Sequence, residues 1–205
     1  MVPSKYLEPT FFIDSQSDVI ADLAEKISRR THKIVDIVKR SFNYVRDEIR
    51  YTVQADQQNK PAEMKASATI LRKNGFCIPK AVALAALLRA NAIPTRLHFA
   101  DIVNHRSPQY LQELMGTNVF VFHGYTDVYL DNRWIKLTPA FDVHLCKKHN
   151  LPVCMFNGVD DAIFNSHDNS GNPFVEYVKD RGVYADLPFQ EILDTFERVY
   201  GNIFR

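Results

Sequence analysis

The chain has 205 residues, 46% of them hydrophobic and 24% charged, with a net charge of +1. That length and balance suit a folded globular domain with a sizeable core. The near-neutral charge, with no basic stripe interleaved with aromatics, argues against nucleic acid or an anionic membrane surface as partner.

Residues 1–16 read as an extended surface segment. No apolar run there resembles a secretory leader, and no run elsewhere reaches the length of a membrane span. Ser17 or Asp18 is positioned to cap a first helix that runs to about Arg30. In "HKIVDIVKRSFNYVRDEIRY", Ile34, Ile37, Val38, Phe42, Val45 and Ile49 recur at steps of three and four, which predicts a second helix. "TVQADQQNKPAEMK" is polar, contains proline and reads as a loop. "SATILRK" predicts a short helix stopped by Asn74-Gly75, the glycine supplying a left-handed residue. A further helix then starts around Pro79 and runs to about Asn91, with Ala81, Ala83, Ala85 and Ala86 allowing close packing.

After "NAIPTR" the period becomes strand-like. "RLHFADIV", "NVFVFHG", "TDVYL" and "RWIKLT" are rich in β-branched and aromatic residues, and Asp131-Asn132 predicts a hairpin turn between the last two. "NHRSPQYLQELMG" reads as a helical excursion between the first two strands. "SHDNSGNP" is a turn-rich loop, and "LPFQEILDTFERVYG" predicts a terminal amphipathic helix with Ile192, Leu193, Phe196 and Val199 on one side. No repeat, low-complexity tract or linker divides the chain. Helices followed by an antiparallel sheet predict an α+β fold in a single domain over 1–205.

The chemistry centres on "LRKNGFCIPKAVALAALLRA", where Cys77 sits between a tight turn and a helix. A thiol becomes a nucleophile when it loses its proton, and a helix N-terminus, a nearby imidazole and partial exposure all favour that. Of seven histidines, His123 ends the apolar run "NVFVFH" and is the one a strand end would carry onto a packed helix terminus. The three cysteines, Cys77, Cys146 and Cys154, are few and odd in number. They fit a reducing compartment, so the cytoplasm is the expected location. His144, Cys146, His149 and Cys154 match no standard zinc spacing, and Lys147-Lys148 oppose a cation, so no metal is expected. No other cofactor is implied.

"LRKNGFCIPKAVALAALLRANAIPTRL" followed by "HGYTDVYLDNRWIKLTPAFD" resembles the core of the transglutaminase-like superfamily. The resemblance rests on Gly75, Cys77, Leu87-Leu88-Arg89-Ala90, Ile93-Pro94, Arg96, His123, Asp127, Trp134 and Pro139 in that order, and covers roughly 34–142. Residues 143–205 form an extension beyond it. The resemblance implies a papain-like fold, a nucleophile at the N-terminus of a central helix packed on an antiparallel sheet, and a Cys–His–Asp triad. It departs at one point. Where the family has an aspartate before the proline, this chain has Thr138. Asp142, four residues on, is the favoured carboxylate for orienting His123. Thr138 as a neutral orienter and a site without activity are the alternatives.

The implied chemistry is attack of Cys77 on a peptide or protein amide carbonyl, with His123 as proton carrier and a thioester intermediate. Hydrolysis is favoured over acyl transfer to an amine, and a catalytically inactive peptide-binding module is the remaining alternative. The backbone N–H of Cys77 is one oxyanion donor. Tyr51 and Gln54 are candidates for the second, and Asp127 for lining the cleft or bonding within the sheet. Neither the substrate's identity nor an oligomeric state follows from the sequence.

Overall fold

The computed structural model describes residues 2–29, 31–53 and 59–201. Its helices are α1 (Asp18–Ser28), α2 (Ile34–Glu48), α3 (Ala66–Arg72), α4 (Cys77–Ala90), α5 (Gln109–Met115), α6 (Val143–Lys148) and α7 (Phe189–Tyr200). A two-stranded parallel ladder joins β1 (Arg50–Tyr51) to β2 (Asn74–Gly75). The main sheet contains β3 (Thr95–Asn104), β4 (Val119–Leu130), β5 (Arg133–Leu137) and β6 (Val175–Tyr184), in the order β5-β4-β3-β6 and antiparallel throughout. No helix among the described residues is long and apolar enough to cross a membrane.

Helix α4 organises the molecule. It is apolar around its whole circumference, and every residue from Ile78 to Arg89 is buried. A helix of that kind needs cover on all sides, which α1, α2 and α3 provide with β3 and β4. Alanines let the sheet approach closely, and the Thr126 hydroxyl of β4 donates to the Ala81 carbonyl at 3.0 Å. At its far end, Arg89 donates to the carbonyls of Thr95, Glu8 and Ala185 and ties three separate segments to the helix terminus.

The expected α2 stripe is present: Ile37, Val38, Phe42, Val45 and Ile49 are buried, while Ile34 in the first turn is exposed. The hairpin turn also forms. Asp131 and Asn132 have φ of 47° and 64°, the left-handed pair that a two-residue turn of matching twist requires. The segments "NVFVFHG" and "TDVYL" are halves of one strand, β4.

Several expectations are corrected. The first sixteen residues are not a loose surface segment: Phe12 and Ile13 join the core, and Asp14 accepts from the Ser67 backbone and hydroxyl at the start of α3. The left-handed residue ending α3 is Lys73, with φ of 56°, not Gly75. Gly75 is glycine for space, since a Cβ there would lie 3.0 Å from Pro79 Cγ at the start of α4. In α7, Tyr200 takes the inward place expected for Val199. Strand β6 and helix α6 left no usable sequence signal. β6 is an edge strand whose charged residues Glu176, Lys179, Asp180 and Arg181 break any apolar alternation, as edges commonly do.

Lys80, one turn into α4, is fully buried. Its ammonium reaches the C-terminal end of α2 and donates to the carbonyls of Arg46 and Ile49 at 2.9 and 2.6 Å. Burial pushes its pKa down to about 7 from 10.5, against the partial support of Asp142 and Asp47. Between those values the unfolded chain holds a proton that the folded chain has released, so this group's contribution to stability rises with pH. Unfolding of the wild type and Lys80→Met from pH 7 to 9 is expected to show wild-type stability gaining on the variant by about 1 kcal/mol per pH unit. A pH-independent difference would show that Lys80 keeps its proton on folding.

Candidate active site

Cys77 is the first residue of α4, entered from the extended Phe76. The β1–β2 ladder places Tyr51 opposite Gly75, two residues before the cysteine, and the Tyr51 phenol lies close enough to feel the thiolate's charge. On the other side comes β4. A Cβ on Gly124 would stand 3.1 Å from Ile78 Cα, a tight contact, so glycine eases the close passage of the strand backbone over the helix start. The N–H groups of Gly124, Ile78 and Cys77 itself lie around the sulfur and favour its anion. They do not win. The residue keeps some exposed surface, but loss of water around the sulfur is the larger effect and pushes the thiol up to about 11.

His123 immediately precedes Gly124, and a break in the sheet aims it. Phe122 has φ of 55°, a conformation a bulky side chain adopts at a cost of about 1–3 kcal/mol. The β3–β4 register shifts between Ala100 and Ile102, opposite this point. The imidazole then enters an aromatic box. Ring centroids of Phe164, Tyr125 and Tyr177 lie 5.1, 6.1 and 6.2 Å from its own. Nε2 is buried with no hydrogen-bond partner among the described residues, and burial pulls the imidazole pKa down to about 3. Thr138 lies just beyond Leu137, the β5 partner of Thr126 on the His123 strand. Its hydroxyl is also buried with no hydrogen bond of normal geometry, although it lies near enough to Tyr177 to favour that phenol's anion. Neither the ring nitrogen nor the Thr138 hydroxyl is bonded to a carboxylate among the described residues.

Asp142 does not supply the missing carboxylate. The chain does turn after Pro139, but toward β1. Asp142 Oδ1 accepts from the Leu145 N–H at 2.8 Å and caps α6, and Oδ2 accepts from the Tyr51 N–H at 3.1 Å. Both oxygens serve the backbone, so the expectation that Asp142 orients His123 is corrected. Asp127 is likewise committed. It is 1% exposed, receives the Arg96 guanidinium at 2.9 Å and contacts His98 Nδ1 at 3.0 Å. The second nitrogen of His98 faces Asp180 at 3.1 Å. Asp127 therefore anchors an ion-pair network within the sheet, not a ligand-facing cleft wall. Tyr51 is brought to the thiol, whereas Gln54 lies outside the described residues. Cys146 and Cys154 are buried core residues. No group of three or more His, Cys, Asp or Glu among the described residues is placed to hold a metal.

Sequence reasoning missed the cover of the site. Phe164 and Tyr177 come from the extension after 143, whose aromatics carry no periodic signal. A groove of about 300 Å³ borders the box and shares Tyr125 and Tyr177 with it; its lining includes Ala100, the cross-strand partner of His123, together with Lys136 and Ile163.

A buried helix that opens on a cysteine, packed against an antiparallel sheet whose adjacent strand carries a histidine, defines the papain-like class of fold. Within that class, the family profile described as the Transglutaminase-like superfamily matches residues 21–139, more than half of the chain, and the chain belongs to that superfamily. Among solved structures, it is similar to a Cytophaga hutchinsonii protein named "Putative Cysteine Protease", with a TM-score of 0.51 and 18% identity over 87% of this chain and 53% of that one. The chain spans about half the length of that structure, and the likeness is one of fold. A comparison with curated proteins returns no match.

The charge state of the site is open to direct measurement. With the thiol near 11 and the imidazole neutral above pH 3, no thiolate–imidazolium pair stands ready at neutral pH. Alkylation of Cys77 by iodoacetamide, followed by mass spectrometry, is expected to accelerate about tenfold per pH unit from 7 to 10, as a rising thiolate fraction dictates. A plateau below pH 8 would reveal a preformed ion pair.

Proposed function

We propose that the chain is a thiol hydrolase of peptide or amide bonds, with Cys77 as nucleophile and His123 as its proton carrier. The observation carrying this reading is the contact at Gly124: the strand residue that follows His123 packs on the first turn of the helix that begins with Cys77. In the proposed reaction the Cys77 sulfur attacks the carbonyl carbon while its proton passes to His123. The oxyanion is met by the N–H groups gathered at the start of α4. Collapse expels the amine, which takes the proton back from His123 and leaves a thioester. Water then attacks the thioester, releasing a carboxylic acid and the free thiol. The groove bordering the aromatic box is the substrate's approach in this reading.

The pair starts neutral, and no carboxylate steadies the imidazolium that forms on proton transfer. Loss of that carboxylate from a triad lowers turnover by up to about ten-thousandfold, so a slow enzyme is expected. The missing carboxylate favours a second reading, a peptide-binding module without turnover, because no carboxylate among the described residues bonds His123 Nε2.

Fluorogenic peptide amides, with and without an added primary amine, separate these readings. Hydrolysis predicts Cys77-dependent release of acid and amine that added amine does not increase. A product incorporating the added amine would assign acyl transfer instead. Equal peptide binding by wild type and Cys77→Ala, with turnover in neither, would overturn the enzyme reading in favour of the module.

A further inference from the structure

We propose that Asp101 and Arg181 form a positioning pair that holds His123 toward Cys77, an inference resting on the catalytic reading of that dyad. The sheet departs from regular pairing where Asp101 sits. β3 shifts register against β4 between Ala100 and Ile102, and against β6 on both sides of the same stretch, at Phe99/Ala100 and Asp101/Ile102. The irregularity on β4 is the left-handed Phe122, directly before His123. Bulges of this kind redirect the next side chain, and they persist only where neighbouring groups hold them.

Side chains from β3 and β6 supply that hold. The Phe122 N–H leaves the ladder and donates to Asp101 Oδ1 at 3.1 Å. Asp101 is 5% exposed and is gripped by Arg181 from β6, with Nε to Oδ1 at 2.8 Å and Nη2 to Oδ2 at 2.7 Å. The fork geometry fixes the carboxylate's orientation as well as its charge. The same guanidinium lies 4.7 Å from the centroid of the Phe122 ring, so Arg181 holds the bulge residue by its side chain while Asp101 holds it by its backbone. Just before the bulge on the same strand, the Tyr200 hydroxyl accepts from the Val121 N–H at 2.6 Å and donates to the Val119 carbonyl at 3.1 Å, steadying the approach to the bulge. The regular-sheet alternative, a flat β4 with Phe122 extended, would turn the His123 side chain to the opposite face. Neither Asp101 nor Arg181 touches the reacting atoms; both act through the backbone of residue 122.

The test uses acetylation of Cys77 by p-nitrophenyl acetate, read as nitrophenolate release and as an acetyl adduct by mass spectrometry, at pH 7.5 and 10.5. Asp101→Ala is expected to slow acetylation about tenfold or more at pH 7.5, as a displaced proton carrier would. At pH 10.5, where thiolate forms without help, it is expected to approach the wild-type rate. Asp101→Asn keeps an acceptor for the Phe122 N–H and is expected to recover most of the loss. If Asp101→Ala does not fold by circular dichroism, Arg181→Met, which leaves Asp101 in place, is read instead and is expected to lose about threefold at pH 7.5. Wild-type acetylation in a folded variant, or an equal loss at both pH values, overturns the positioning role. His123→Ala separates this from the reading beneath it. A loss there without one in Asp101→Ala refutes the positioning pair alone, whereas no loss in His123→Ala refutes the Cys77–His123 partnership itself.

Discussion

The close approach of two backbones, the first turn of α4 and the strand at Gly124, is the constraint on which the rest of the structure depends. A Cβ at position 124 would stand 3.1 Å from Ile78 Cα and press on the helix start. With glycine there, the N–H groups of two elements gather around the Cys77 sulfur, and His123 is the residue that precedes the contact in the strand. Gly75 plays the matching part on the other flank, giving room to Pro79 so that the β1–β2 ladder can run directly into the helix. The cysteine is thus set by two glycines that are needed for proximity, neither of which has a positive φ.

What this proximity yields depends on water. Helix N–H groups stabilise a thiolate, and an imidazole beside it gains a proton, only while hydration does not strongly oppose the charged forms. Here burial dominates both partners, raising the thiol and lowering the imidazole. In a triad that ends in aspartate, a carboxylate offsets that cost at the ring. In this chain the corresponding residue is Thr138, and the nearest downstream carboxylate, Asp142, caps α6 and holds Tyr51. The result is a site with the scaffold's geometry and a neutral resting state, covered by Phe164 and Tyr177.

The polar groups that are buried elsewhere are nearly all employed in holding elements together. Lys80 caps α2, Arg89 gathers three carbonyls at the end of α4, and Arg96, His98, Asp127 and Asp180 link three strands. The His123 nitrogen and the Thr138 hydroxyl, like the hydroxyls of Ser17 and Ser41 and one oxygen of Asp186, are buried with no hydrogen-bond partner among the described residues, which is uncommon in folded proteins.

The sequence by itself determined the elements whose side chains repeat at a helical or strand period: α1, α2, α4, α7 and the strands β3 to β5, together with the turn at Asp131-Asn132 and the superfamily to which Cys77 and His123 belong. These are local patterns, set by which residues must face the core. Tertiary structure alone decided where each carboxylate went. Asp127 is held by Arg96 and His98 from the neighbouring strand, and Asp142 by the Leu145 N–H of the helix it caps and by the Tyr51 N–H from a distant segment. It also decided the path of 143–184, whose edge strand and aromatic cover follow from the face left open by β3 and the box around His123. No residue in that stretch repeats at a period that could have announced it, because an edge strand and a capping loop are shaped by what they cover.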